Sequence, residues 1–339
     1  MKITIWGARG SVPSPEPETM RYGGNTSCVE VALSDGSTLI LDAGTGIRSL
    51  GLARPRAQQP ITILLTHLHL DHIQGLMFFA PAFEPGAEIA VWGPASPEAS
   101  LHQRIARYIS APLAPVAVRE LPSQVSFREA EPVEWRIGPA RIRAQPVNHR
   151  GPTLGYRIED GGAVLCYIPD HEPGLGAQLE QLGEEWISGF ELARESTLLI
   201  HDCQYTDEEY PAHVGWGHSS MSDALTFARR VGAQQVVLFH HDPLHTDEFL
   251  DSLATVAQER WRQLGGADGQ LTLARERLEI ELGPSATSAS RATRNGARPV
   301  PLPAATSRTP AAADPLTPAV AYDACPGVGP LRGGRRAAA

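Results

Sequence analysis

The sequence predicts an α+β chain whose strands stack as a sheet sandwich, with its chemistry gathered on one rim. Three observations carry this. The run Ile61-Thr-Ile-Leu-Leu65 is an aliphatic, β-branched strand that empties into His67, His69, Asp71 and His72. The same design recurs after Ala163–Ile168, Thr197–Ile200 and Gln234–Phe239, each an apolar strand followed at once by a His and an Asp. Between the last of these strands lie segments that read as capped helices.

The bulk properties narrow the possibilities. At 339 residues and 42% hydrophobic content, the chain can hold one large domain or two ordinary ones around a substantial core. No apolar run of about 18 residues occurs, so no membrane span is expected. The opening Met-Lys-Ile-Thr-Ile-Trp-Gly reads as a strand and lacks the features of a signal peptide. The four cysteines, Cys28, Cys166, Cys203 and Cys325, are scattered with no paired metal spacing. Free thiols in a reducing cytoplasm are the expectation. The net charge of −9 is uneven: beyond residue 283 seven arginines face Asp314 and Asp323, which leaves −14 on the preceding body. Such a body repels a long polyanion more than a small anion held by metal ions.

In chain order, residues 1–6 and 28–33 read as strands joined by Gly-, Pro- and Ser-rich loops suited to lie near a ligand. Asp35-Gly36 suits a hairpin before the strand Thr38–Leu41, which ends at Asp42, a residue placed to brace a histidine. Glu88–Trp92 reads as a strand, Pro97–Ser110 as a helix and Ala111–Val118 as a Pro-punctuated surface segment. Strands resume at Val125–Phe127, Val133–Ile137 and Arg141–Gln145, and the last leads to His149. Ala163–Ile168 delivers Asp170; Thr197–Ile200 delivers Asp202. A glycine-rich loop carries His218, and Ser220 with Asp223 resembles a capping box for a helix over Met221–Val231. Gln234–Phe239 ends in His240-His241. Thr246 caps a helix with apolar Phe249, Leu250, Leu253, Val256 and Ala257, and Leu271–Ala274 and Leu278–Leu282 close a single-domain body over 1–283. Residues 284–339, rich in Ala, Pro, Ser, Thr and Arg, read as a disordered tail.

Imidazoles and carboxylates in this number suit zinc or another borderline divalent metal. If the backbone stays extended beyond Leu65, alternation turns His67, His69 and Asp71 toward one point and His72 toward a neighbouring one. Seven such donors can hold two metals roughly 3.5–4 Å apart, a pair that makes hydroxide available near neutrality and clamps an oxygen as charge builds.

Thr66-His-Leu-His-Leu-Asp-His72, His149 followed by Gly155-Tyr-Arg-Ile158, Asp170, Asp202 in His-Asp-Cys-Gln, His218 in His-Ser-Ser and His240 in Phe-His-His-Asp-Pro resemble the metallo-β-lactamase fold family. The match is nearest to its phosphodiesterase branch, which includes ribonuclease Z and phosphoribosyl cyclic-phosphate phosphodiesterase. It covers nearly all of residues 1–260. The resemblance implies an αββα sandwich with two divalent metal ions at one edge, Zn2+ or Mn2+. By carry-over His67, His69 and His149 hold one metal; Asp71, His72 and His240 hold the other; Asp170 bridges. His241 is an alternative to His240, since strand register decides between adjacent imidazoles. His218 then serves the leaving oxygen and Asp202 orients its ring, an aspartate standing where the ribonuclease Z pattern has glutamate. The catalytic set implied is Asp71, His218 and Asp202, around a metal-bridging hydroxide.

The ribonuclease Z pattern usually carries a long tRNA-binding arm between the positions of His149 and Asp170, where only 20 residues intervene here. With the acidic body, this favours a small or cyclic phosphodiester over nucleic acid. A ribonuclease Z-like nuclease on RNA 3′ ends is the second reading, and a non-catalytic nucleotide-binding or interaction module the third. Cytoplasmic location follows from the cysteines and N-terminus, and a homodimer from the habit of related enzymes.

Overall fold

A computed structural model describes residues 1–54, 59–130 and 134–283; the tail expected over 284–339 lies outside the described residues. The first half runs β1 (Lys2–Gly7), β2 (Cys28–Ala32), β3 (Thr38–Leu41), α1 (Gly46–Ala53), β4 (Ile61–Leu64), α2 (Leu70–Ile73), β5 (Glu88–Pro94), α3 (Leu101–Tyr108) and β6 (Gln124–Ala130). The second runs β7 (Glu134–Ile137), β8 (Ala140–Pro146), β9 (Leu154–Asp160), β10 (Ala163–Ile168), α4 (Phe190–Ala193), β11 (Leu198–Asp202), α5 (Met221–Arg230), β12 (Gln235–Phe239), α6 (Asp247–Gln263), β13 (Leu271–Leu273) and β14 (Glu279–Glu281).

These strands make two seven-stranded sheets, ordered β14-β1-β2-β3-β4-β5-β6 and β13-β12-β11-β10-β9-β8-β7. Each is antiparallel on one side and parallel on the other: β3 to β6 are parallel in the first sheet, β10 to β13 in the second. Parallel neighbours need crossovers, which puts helices on the outer faces. The inner faces meet in one core, where Ile3, Val29, Leu39 and Leu41 pack with Ile142, Tyr156, Leu165 and Phe239. Outside it, α1 and α3 cover the first sheet through Ile47, Leu50, Leu101 and Ile105, and α4 to α6 cover the second through Phe190, Leu225, Leu250 and Trp261. The result is the αββα sandwich.

Local chemistry sets the helix ends. Ser100 and Gln103 form a reciprocal capping box, so α3 starts at Leu101 rather than at Pro97. Ser220 accepts from Asp223 N, while the Asp223 carboxylate returns to the Ser220 hydroxyl instead of to its backbone. Thr246 accepts from Phe249 N to start α6. The buried stripe of α6 is Leu250, Leu253, Ala257 and Trp261, whereas Phe249 and Val256, expected with it, face outward. Burial of a side chain the size of Leu250 or Leu253 is worth about 1.5–3 kcal/mol. The segment after α3 covers the apolar cluster of the first sheet with Ala114, Val118 and Leu121.

All described residues belong to one compact unit. No helix among them is long and apolar enough to cross a membrane. The parallel strands end on a common rim, and there β3 delivers Asp42, β4 the histidine run, β10 Asp170, β11 Asp202 and β12 His240. The turn after β8 brings in His149.

Candidate metal centre

Ligating atoms of His67, His69 and His149 lie within 4.8 Å of one another, as do those of Asp71, His72, Asp170 and His240. Asp170 stands between the two groups. Its Oδ2 is 3.7 Å from His67 Nε2, 3.7 Å from His149 Nε2 and 3.3 Å from His240 Nε2, and its Oδ1 is 3.1 Å from His72 Nε2. His69 Nδ1 faces His149 Nε2 at 3.2 Å. Donors at 2.0–2.1 Å on one tetrahedral ion stand roughly 3.3 Å apart, the spacing of this cluster. His67 Nε2 is buried without a hydrogen-bond partner among the described residues. Buried polar atoms left so are costly unless they serve another group. The donor set thus suits divalent metal.

The extended backbone expected through residues 65–71 ends at His69. There α2 begins, with Leu70, Asp71 and His72 in its first turn. Successive helical residues point about 100° apart, so Asp71 leaves the His67 group and joins His72. Asp71 Oδ2 lies 3.3 Å from His72 Nε2 and 3.2 Å from His240 Nε2, and accepts from Ser11 N at 2.8 Å.

His240 and His241 part ways. His240, at φ 62°, turns its ring into the cluster. That conformation costs a non-glycine residue about 1–3 kcal/mol and is held by the site around it. His241 Nε2 donates instead to Ala274 O at 2.8 Å. Gly10 packs so closely on His240 that a Cβ there would sit 2.5 Å from the ring, so any other residue would have to displace it.

Behind the cluster, the other nitrogen of His67, His72, His149 and His240 is engaged, which fixes the atom that faces inward. His72 Nδ1 donates to Asp42 Oδ2 at 2.9 Å. His67 Nδ1 donates to Thr66 Oγ1 at 3.0 Å, and that hydroxyl donates to Asp42. His149 Nδ1 donates to Gly217 O at 2.7 Å, and His240 Nδ1 to Gln204 Oε1 at 3.0 Å. Asp42 therefore braces two rings, as its place after β3 suggested for one.

Electrostatics divides the histidines. Burial opposes charge on every ring, and at His67, His69 and His149 it prevails, drawing their pKa values down and leaving neutral donors. At His72 and His240 burial is outweighed by carboxylates: Asp170, Asp71 and Asp42 raise His72 well above the usual imidazole value, and Asp170 and Asp71 push His240 up to about 9. Burial likewise fails to protonate Asp71 and Asp170, which neighbouring imidazoles hold below the ordinary carboxylate range. Without metal, protons on His72 and His240 balance the acids.

His218 and Asp202 adjoin the cluster as a pair. His218 Nδ1 donates to Asp202 Oδ2 at 2.6 Å, so the shorter aspartate does reach the ring. Asp202 is wholly buried and also accepts from the backbone of His171, Gln204 and Ser219. His171 and His201, by contrast, bond each other at 2.9 Å and pack against Phe227, outside the cluster.

Sequence reasoning missed Glu172. Buried two residues past Asp170, it accepts from Tyr210 OH, Gly215 N and Gly217 N. Thr66 and Gln204 were missed as well. For these two, a polar side chain within two residues of His67 or Asp202 is the signal that could have marked them.

A family model described as "Beta-lactamase superfamily domain" matches residues 37–241. A ribonuclease Z of Kineococcus radiotolerans is 27% identical over 268 residues, covering 68% of this chain and 82% of that one. Among solved structures, the metallo-β-lactamase fold protein YhfI from Bacillus subtilis superposes with a TM-score of 0.59 at 18% identity, over 83% of this chain and 99% of its own. A diphosphatase from the PhnP family gives 0.58 at 19% identity, over 84% and 98%.

Proposed function

The chain belongs to the beta-lactamase superfamily, with the metallo-β-lactamase fold, and we propose that it is a metal-dependent phosphodiesterase acting on a small or cyclic phosphodiester. The observation that carries this is the convergence of His67, His69, Asp71, His72, His149, Asp170 and His240 on one point, with the His218–Asp202 pair at its side. In this reading His67, His69 and His149 hold one divalent ion, Asp71, His72 and His240 a second, and Asp170 lies between them. When bound, such a pair, Zn2+ or Mn2+ by the chemistry of its donors, supplies hydroxide near neutrality and neutralises charge on a phosphoryl oxygen.

The chain's own residues account for the rest. Asp42, Thr66, Gln204 and the Gly217 carbonyl keep ring protons on the outward nitrogens, leaving inward lone pairs for metal. Asp202 holds the His218 proton at Nδ1 and orients the ring, which leaves Nε2 to serve the departing oxygen.

A ribonuclease Z-like nuclease is the second reading, favoured by the similarity to the ribonuclease Z of Kineococcus radiotolerans. Against it, β9 and β10 fill the interval from His149 to Asp170 as a tight hairpin with no room for an arm. The test is a substrate panel on metal-replete protein. Hydrolysis of bis(p-nitrophenyl) phosphate and a cyclic nucleotide, abolished by His69→Ala, is expected. Cleavage of a tRNA precursor's 3′ trailer in preference to both would establish the nuclease, and inactivity on all would defeat either enzyme.

A further inference from the structure

His218 lines a cavity of about 300 Å³ together with Gln204, Tyr205, Glu209, His213, Trp216 and Asp242. That is the lower end of ligand-pocket size, suited to a nucleoside-sized group and not to an oligonucleotide. Three of its rings touch. Tyr205 stacks on His213 with centroids 4.3 Å apart and planes at 16°, and His213 meets Trp216 edge-on at 5.0 Å. Tyr205 also lies edge-on to His218 at 6.0 Å.

Trp216 is 53% exposed. An indole left in water forgoes much of its burial energy, and here it is also held in place. Its neighbours Gly215 and Gly217, at φ 82° and 92°, both donate to buried Glu172, and its own N–H donates to His213 O at 2.9 Å. A rigidly presented aromatic surface beside a reactive histidine is the arrangement of a stacking platform. The charge of the cavity limits what can stack there. Glu209 and Asp242 contribute carboxylates, and neither lysine nor arginine is among its lining residues. A second phosphate would meet like charge.

We propose that this cavity is a subsite for an uncharged planar heteroaromatic group, a nucleobase on the alcohol side of the phosphodiester, stacked on Trp216 while His218 faces the departing oxygen. The place of the base in a reaction rests on the phosphodiesterase reading; the affinity of the cavity for it does not.

Calorimetric titration of adenosine into the metal-replete full chain tests the subsite. Adenosine is expected to bind, Trp216→Ala to weaken it roughly tenfold or more, and Trp216→Phe to retain most of the affinity. Trp186→Ala, at an exposed tryptophan outside the cavity, is expected to change nothing. Absence of adenosine binding, an affinity indifferent to Trp216→Ala, or equal loss in the Ala and Phe variants would overturn the proposal. Hydrolysis of bis(p-nitrophenyl) phosphate by the same preparation is scored separately. Hydrolysis without adenosine binding removes the subsite and leaves the phosphodiesterase; adenosine binding without hydrolysis of any diester does the reverse.

Discussion

Asp42 accepts the Nδ1 proton of His72 at 2.9 Å from a backbone held at φ 58°. The same carboxylate takes Thr66 N at 2.7 Å and Tyr167 OH at 2.9 Å, so one buried anion links the inner core to the metal cluster. Asparagine tolerates positive φ and keeps the shape, but its amide nitrogen accepts from neither His72 nor Tyr167. Asp42→Asn is therefore expected to fold and to lose about 10–100-fold in metal affinity. A chelator competition titration reads this directly, and an unchanged binding constant would contradict the bracing role.

Metal uptake carries a pH signature. His240 titrates at about 9 in the metal-free protein, above the ordinary 6.5, because Asp170 and Asp71 outweigh its burial. A raised value means that the proton is bound at pH 7 and must leave before Nε2 can take a metal. Affinity should rise with pH through about 9, and binding should release protons. The same sign makes the stabilisation from charged His240 complete below about 6.5 and lost as pH climbs through 9 in the metal-free protein. Calorimetry in two buffers of different ionisation enthalpy at pH 7 gives the proton count; identical apparent enthalpies would refute it.

The pair at the side of the cluster should affect turnover without affecting metal. Asp202→Asn removes the acceptor that holds His218 Nδ1–H, and His218→Ala removes the proton carrier. Each is expected to lower kcat by roughly 10²–10⁴, and the double variant to add little, because the two act as one unit. Metal content by atomic absorption should stay at the wild-type level. Loss of metal in either variant would instead make His218 a ligand, which its contact with His149 and Asp170 allows.

The strands were legible because each is an aliphatic run closed by polar residues: Ala163–Ile168 matches β10 at both ends, and Gln234–Phe239 misses β12 by one residue. The rim position of Asp170, Asp202 and His240 follows from those ends. Asp71 was misdirected because alternation presumes extended backbone, and nothing local marks the switch to helix at Leu70. His240 could not be separated from His241, since a positive φ at a histidine has no sequence signal. Glu172 was invisible for another reason. Two of its partners are backbone N–H groups, which every non-proline residue owns, and only the folded loop aims them.

That loop supplies the last prediction. Glu172 accepts from Gly215 N at 2.8 Å, Gly217 N at 2.8 Å and Tyr210 OH at 2.8 Å, and the carbonyl of Gly217 in turn holds His149 Nδ1 at 2.7 Å. A Cβ on Gly217 would sit 2.4 Å from the His149 ring, so the contact leaves no slack. Glu172→Gln turns one acceptor into a donor against an N–H, and an unsatisfied buried group costs about 1–3 kcal/mol. The variant should unfold at lower temperature and bind its His149-side metal more weakly, while the group of Asp71, His72 and His240 keeps its own. A two-site metal titration separates the sites: equal weakening of both, or of neither, would show that Glu172 braces the fold alone and does not reach the site through Gly217.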